Sequence, residues 1–243
     1  MDVRQKTTEY LLDAWEARRA IKNRMGYMSY YIVVKKHGEL FRELWSSRED
    51  ICLGTNRGWY CGREAVGGYY EAKTREDQLV GELFQKAFPT VLGDKTAEDV
   101  YGTGTMEYKP VECELVEVAG DLQTAKGLWL VRGSYSKATP AGPVGYWEWS
   151  WYAVDFIQEN GQWYIWHMQY LTEVDAACGT DWISEMKPLP ENEIFAPVKD
   201  FAFPEPTIPA VLRETYHPMR AFAEPPAMPE PYETFADTFS YGC

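Results

Sequence analysis

The spacing of apolar residues changes near residue 103, and that change limits the chain to few architectures. Before it, within residues 5–46, Leu11, Leu12, Trp15, Ile21, Met25 and Met28 recur near helical spacing. Gly26 is placed to kink this helix, and His37-Gly38 to end it before a second segment, Glu39 to Trp45. Residues 51–61 read as a short strand or strand pair. Residues 62–72 read as a short helix, and 75–93 as another. After residue 103 the period becomes two. VECELVEV, AKGLWLVRGSYS, YWEWSWYAVDFI and QWYIWHMQYL alternate or run apolar, separated by Ala119-Gly120-Asp121, the loop ATPAGPVG and Asn160-Gly161. Helices followed by a four-strand antiparallel meander predict an α+β fold, with helices packed on one face of a curved sheet.

The end of the chain has a different composition. Eleven of the fifteen prolines lie in residues 187–243, which excludes regular helix and central strand there. Phe195, Phe201, Phe203, Tyr216, Tyr232, Phe235, Phe239 and Tyr241 also lie there, and a solvated linker is poor in such side chains. The expected organisation is a domain over 1–185 with an N-terminal helical extension, then an extended arm over 186–243. The arm is expected to bind a surface of its own domain or of a partner subunit.

Charge and cysteine content narrow the partners. A net charge of −13 disfavours nucleic acid. No apolar run approaches the ~18 residues of a membrane span, and the N-terminus is too polar for a secretory signal. Five cysteines without CxxC spacing predict neither a disulfide framework nor a zinc cluster, and suit reduced thiols in a cytoplasm.

Four stretches carry a resemblance: ARRAIKNRMGYMSYYIVVKKHGELFRELWSS, GWYCGREAVGGYY, VEVAGDLQTAKGLW and DFIQENGQWYIWH. In this order they resemble the SnoaL-like branch of the nuclear transport factor 2-like superfamily, over about residues 17–172. The resemblance implies a cone-shaped α+β barrel of cystatin-like type, with a curved sheet wrapped round a long helix and a pocket between them. It also implies a choice among dehydratases, ketosteroid isomerases, polyketide cyclases, lyases of lignin-derived aromatics and protein-binding modules, most of the enzymes using no cofactor. Dimers through the outer sheet face are common among such proteins. The sequence departs from the dehydratase-like pattern in two places. Val33 and Val34 stand where an Asp is expected, and YGTGTMEYKP lacks the usual His.

His167 is the principal candidate for chemistry. By alternation it shares a face with Trp163, Ile165 and Gln169, the face that in related domains points into the cone. A buried neutral imidazole is a competent general base; the alternative is a core histidine with one hydrogen bond. Counting from the Asn160-Gly161 turn places Asp155 nearest His167, as the carboxylate that orients it. Tyr30, or Tyr108 in the region of the missing histidine, is the candidate donor to a developing oxyanion. Tyr31, Arg57, Trp149, Trp151 and Trp163 are candidate substrate contacts. The three-Trp run, Trp147, Trp149 and Trp151, suits either a flat ligand or a dimer interface. His37 and His217 read as surface residues, so a site of two His and one carboxylate cannot be assembled and no metal is expected.

The expected function is a cofactor-independent lyase, a dehydratase or deformylating lyase, acting on an aromatic, lignin-derived-like or steroid-like polycyclic molecule. The alternatives are a double-bond isomerase and a non-catalytic binding or assembly module. A homodimer with C-terminal arms wrapping the partner is expected, with neither nucleic acid nor membrane as partner.

Overall fold

The computed structural model describes residues 7–179, 192–221 and 223–243. The boundary expected at 185/186 lies outside the described residues. Helix α1 (Thr8–Val33) begins at Thr7, whose hydroxyl accepts from the Tyr10 N–H. It runs unbroken through Gly26. Its buried stripe is Ala17, Ile21, Met25, Met28 and Ile32, at helical spacing, whereas Leu11, Leu12 and Trp15 are exposed. Lys35, in the left-handed region at φ 57°, turns the chain into α2 (His37–Leu44).

Strands β1 (Cys52–Thr55) and β2 (Gly58–Cys61) form a hairpin. Residues 62–93 do not break as expected: α3 (Arg63–Ala87) is continuous across Ala72–Arg75, and short helices α4 (Pro89–Leu92) and α5 (Ala97–Val100) follow. The sheet continues with β3 (Glu107–Tyr108), β4 (Val111–Val118), β5 (Thr124–Thr139), β6 (Gly142–Glu159) and β7 (Gln162–Ala177). The expected loop ATPAGPVG is mostly strand, because Thr139 pairs with Gly142 across a two-residue turn. Asn160 and Gly161, at φ 51° and 78°, form the tight turn between β6 and β7.

The strand order is β3-β5-β6-β7-β1-β2-β8, with β4 also on β5 and β8 (Ile208–Pro209) supplied by the arm. Among the described strands only β1 and β7 pair in parallel, and Trp45 makes a further parallel bridge to Ile165. One core joins the inner stripe of α1 to Trp129, Val131, Tyr152, Val154, Phe156, Trp163, Ile165 and Met168, so the long helix packs against one sheet face. This is the α+β arrangement of helices on a curved sheet that the sequence predicts.

Two bulges in β7 decide which side chains enter the concave face. Phe156 pairs with Ile165 but Asp155 pairs with His167, leaving Trp166 as an extra residue. Ser150 pairs with Thr172 but Trp149 with Val174, leaving Glu173 extra. Each extra residue reverses the alternation of faces. Trp163 and Ile165 point into the core; beyond the first bulge Met168 and Tyr170 do, and His167 does not.

The described arm lies on the chain's own sheet. Gly120 and Asp121 donate backbone N–H groups to the carbonyls of Tyr232 and Glu233. Tyr241 packs with Leu128, Ala153 and Trp151, on the face opposite the helices.

Candidate active site

The concave face carries a cluster of charged and phenolic groups that the sequence reading missed. Its floor is Lys109, 4% exposed, from the segment between β3 and β4. The Lys109 ammonium lies 2.8 Å from Glu107 Oε1 and 3.0 Å from Glu148 Oε2, and it donates to the Tyr170 hydroxyl. Tyr170 in turn donates to Glu148 Oε1, as do Ser150 and, at 3.3 Å, Thr172. Lys73 of α3 reaches Glu107 Oε2 at 3.3 Å.

The electrostatics follow from this pairing. Burial works to raise the Glu148 carboxyl, but Lys109 and the hydrogen bonds from Ser150 and Tyr170 outweigh it and hold it below the usual range. Glu107 is held down against burial by Lys109 and Lys73. Burial works to lower Lys109, and Glu107 and Glu148 more than offset it, keeping the ammonium charged. Burial, then the Glu148 charge, pushes the Tyr170 phenol well up, so it stays protonated and able to donate.

At the rim, Tyr135 donates to Asp175 Oδ1 at 2.8 Å. The residue is exposed, yet its carboxyl is turned toward Tyr135 and Glu148. Burial, then the Glu148 charge against the opposing Tyr135 hydrogen bond, raises it above the usual carboxylate range. A third group closes the other side: Asp77 Oδ2 lies 3.0 Å from His37 Nε2, while Oδ1 accepts from Lys35 at 3.0 Å and Thr105 at 2.7 Å. His37, expected at the surface, is 3% exposed because the turn at Lys35 tucks the start of α2 inward.

These groups surround a cavity of about 220 Å3 that includes Asp77, Glu107, Lys109, Glu148, Tyr170 and Asp175. It shares Tyr69, Tyr170, Thr172, Asp175 and Phe203 with a neighbouring cavity of about 320 Å3, which opens past Asn56 and Arg57. A deeper void of about 30 Å3 among His37, Glu107, Lys109 and Tyr170 has room for a water.

The sequence-predicted residues fall elsewhere, with one exception. Arg57 lines the outer cavity, paired to Glu205 at 3.7 Å. Trp163 is core, 4% exposed. Tyr30 is 60% exposed on the solvent side of α1, and Tyr31 bonds Glu43. Tyr108 is exposed in the short β3, and Trp149 and Trp151 lie on the convex face with Asp155.

His167 and Asp155 do meet, but on the convex face and under the arm. Expected inside the cone, His167 is turned out by the bulge at Trp166. Its Nδ1 lies 2.9 Å from Asp155 Oδ2. Asp155 also accepts from Lys126 Nζ at 2.5 Å, Ser240 Oγ at 3.1 Å and the Tyr241 N–H at 2.8 Å. Lys126 and Asp155 are both fully buried. The rings of Phe235, Phe239 and Tyr241 stand 4.7, 4.5 and 5.0 Å from the Lys126 ammonium. Burial lowers the Lys126 pKa, against the raising effect of Asp155. This cluster is a mounting point for the arm.

Among the described residues no group of three His, Cys, Asp or Glu is arranged to hold a metal ion, and no helix is long and apolar enough to cross a membrane.

No family model matches the chain, and no curated protein matches it. Solved structures match its fold. One described as a putative scytalone dehydratase, from Novosphingobium aromaticivorans, is 15% identical, with a TM-score of 0.48 over 75% of this chain and 97% of that one. A nuclear transport factor 2-like protein with a cystatin-like fold, from the same organism, is 14% identical, with a TM-score of 0.42 over 66% and 84%. A hexachlorocyclohexane dehydrochlorinase from Novosphingobium barchaimii is 14% identical, with a TM-score of 0.46 over 72% and 99%. At this level the likeness is one of fold alone.

Proposed function

We propose that the chain is a cofactor-independent lyase whose acid–base site is the Lys109–Tyr170–Glu148 network with Asp175 at its rim. The observation that carries this reading is the position of Tyr170. Its hydroxyl sits between a buried ammonium and a buried carboxylate, at the junction of the cavities that Asp175 also borders. Asp175 takes a proton from a substrate carbon, and the electron pair forms the new double bond. The leaving oxygen takes the Tyr170 proton while Lys109 stabilises the phenolate. A double-bond isomerase would use the same groups, returning the proton to a different carbon.

The substrate is a neutral, ring-containing molecule. Tyr69, Tyr135 and Phe203 wall the cavity with aromatic faces. Five carboxylates line it against four ammonium groups, which disfavours an anion. Dehydration follows this scheme directly. In loss of formaldehyde Asp175 takes the O–H proton of a hydroxymethyl group, the C–C bond breaks to release the aldehyde, and its electron pair forms the double bond as the leaving oxygen takes the Tyr170 proton.

The test is mass spectrometry of incubations with phenylpropanoid dimers and steroid enones. Wild type and His167→Ala are expected to convert a compound that Tyr170→Phe and Asp175→Asn bind but convert roughly 10²–10⁴-fold more slowly. Loss of turnover in His167→Ala with Tyr170→Phe unaffected would overturn the assignment. One observation favours a non-catalytic binding module: the floor charges of the cluster are already paired with one another. Binding without turnover across the panel would establish that reading.

A further inference from the structure

Three of the five cysteines, distant in sequence, converge at the end of the arm. Cys52 and Cys61 are direct partners across the β1–β2 hairpin. Cys243, the last residue, lies over them: its N–H donates to Cys52 Sγ at 3.1 Å, and its Sγ is 2.9 Å from Cys61 Sγ. Cys243 is exposed, Cys61 half-buried and Cys52 buried.

Each of the last four residues is engaged. Ser240 and the Tyr241 N–H bind Asp155, and the Tyr241 carbonyl accepts from Gln169. Gly242 lies so close to the His167 ring that a Cβ would come within 2.8 Å of it. The tail is thus steered to one position, and that position brings two sulfurs into contact.

We propose that Cys61 and Cys243 are a disulfide-forming pair that fastens the arm to β2 and closes it over the Lys126–Asp155–His167 cluster. The oxidant is a low-molecular-weight disulfide such as oxidised glutathione. The exposed Cys243 sulfur, as thiolate, attacks it, forming a mixed disulfide and releasing one glutathione thiolate. Cys61 gives up its proton to solvent and attacks the Cys243 sulfur, expelling the second. Two protein thiols are oxidised and one glutathione disulfide is reduced to two thiols. Burial, then the contact with Cys243, pushes the Cys61 thiol up to about 12. The contact between the two sulfurs places Cys61 for the second step.

The full-length protein is incubated with oxidised glutathione, alkylated, digested without reductant and mapped by mass spectrometry. The expected result is a peptide pair joining Cys61 to Cys243, with two of the five thiols lost from the monomer. Cys52→Ser is expected to retain the link and Cys243→Ser to lack it. Oxidised wild type is expected to resist carboxypeptidase beyond Cys243, while reduced wild type and Cys243→Ser are trimmed. Five free thiols after oxidation, a link through Cys52, Cys113 or Cys178, or a link between two molecules would each overturn the proposal. An unchanged circular dichroism spectrum of Cys243→Ser confirms that each readout reports the link.

Discussion

Replacing Asp155 with Ala tests whether the convex-face cluster holds the arm. Asp155 is fully buried and has four donors: Lys126, His167, Ser240 and the Tyr241 N–H. Its loss leaves Lys126 buried among aromatic rings with no anion, and removes the two hydrogen bonds by which Asp155 holds the tail. Removing one member of a buried pair costs about 3–5 kcal/mol, because the remaining charge is left uncompensated. For a chain of this size each kcal/mol shifts the melting temperature by about 2–4 °C, so a fall of roughly 6–20 °C is expected. Lys126→Met with Asp155→Leu removes both charges together and should recover most of that loss. Calorimetry gives the temperatures, and limited proteolysis shows whether residues 223–243 become cleavable. A fall under about 2 °C in Asp155→Ala, with the arm still protected, would refute the view that this cluster mounts the arm.

Other consequences can be measured separately. Gly81→Ala should cost about 1–3 kcal/mol by urea titration, since its Cβ would lie 2.1 Å from the Val100 carbonyl oxygen, where α3 and α5 touch through backbone. Glu107, Glu148 and Asp77 are all held below their unfolded values. The stability they contribute is full above about pH 4–5 and is lost as pH falls through the lowered range. Asp175 is shifted the other way, so its contribution is full below about pH 4 and fades as pH rises through its folded value. As a base it works only when ionised, so the acid limb of a pH–rate profile should lie above the ordinary carboxylate range and vanish in Asp175→Asn. Phe203→Ala should raise KM more than it lowers kcat, because Phe203 walls both cavities and meets the cluster only through the Lys73 ammonium over its ring. Truncation after residue 186 removes the whole described arm. Gel filtration then distinguishes an arm that covers its own sheet, which leaves oligomer size unchanged, from one exchanged between two subunits.

Much of the architecture is legible in the sequence because it depends on local spacing. The helical stripe from Ala17 to Ile32, the alternation after residue 103 and the Asn160-Gly161 turn each follow from neighbours along the chain. The same counting places Val154 or Asp155 opposite His167, and the bulge at Trp166 selects Asp155. The aromatic residues among the arm's prolines likewise announce that the arm binds a surface.

The direction in which those residues point was decided by tertiary structure. One extra residue, Trp166, reverses the alternation of β7, sending His167 outward and Tyr170 inward. No local pattern marks that bulge, because alternation reads the same whether a residue is paired or skipped. The concave cluster is hidden for a related reason. Lys73, Glu107, Lys109, Glu148, Tyr170 and Asp175 come from a helix, three separate strands and the segment between β3 and β4, and in sequence each reads as an ordinary surface charge or core aromatic. Only when the long strands curl round α1 do they lose water together, and only then do their pKa values move apart. The thiols at 52, 61 and 243 show the same separation: their spacing matches no pattern, and the folded arm alone brings two of the sulfurs to 2.9 Å.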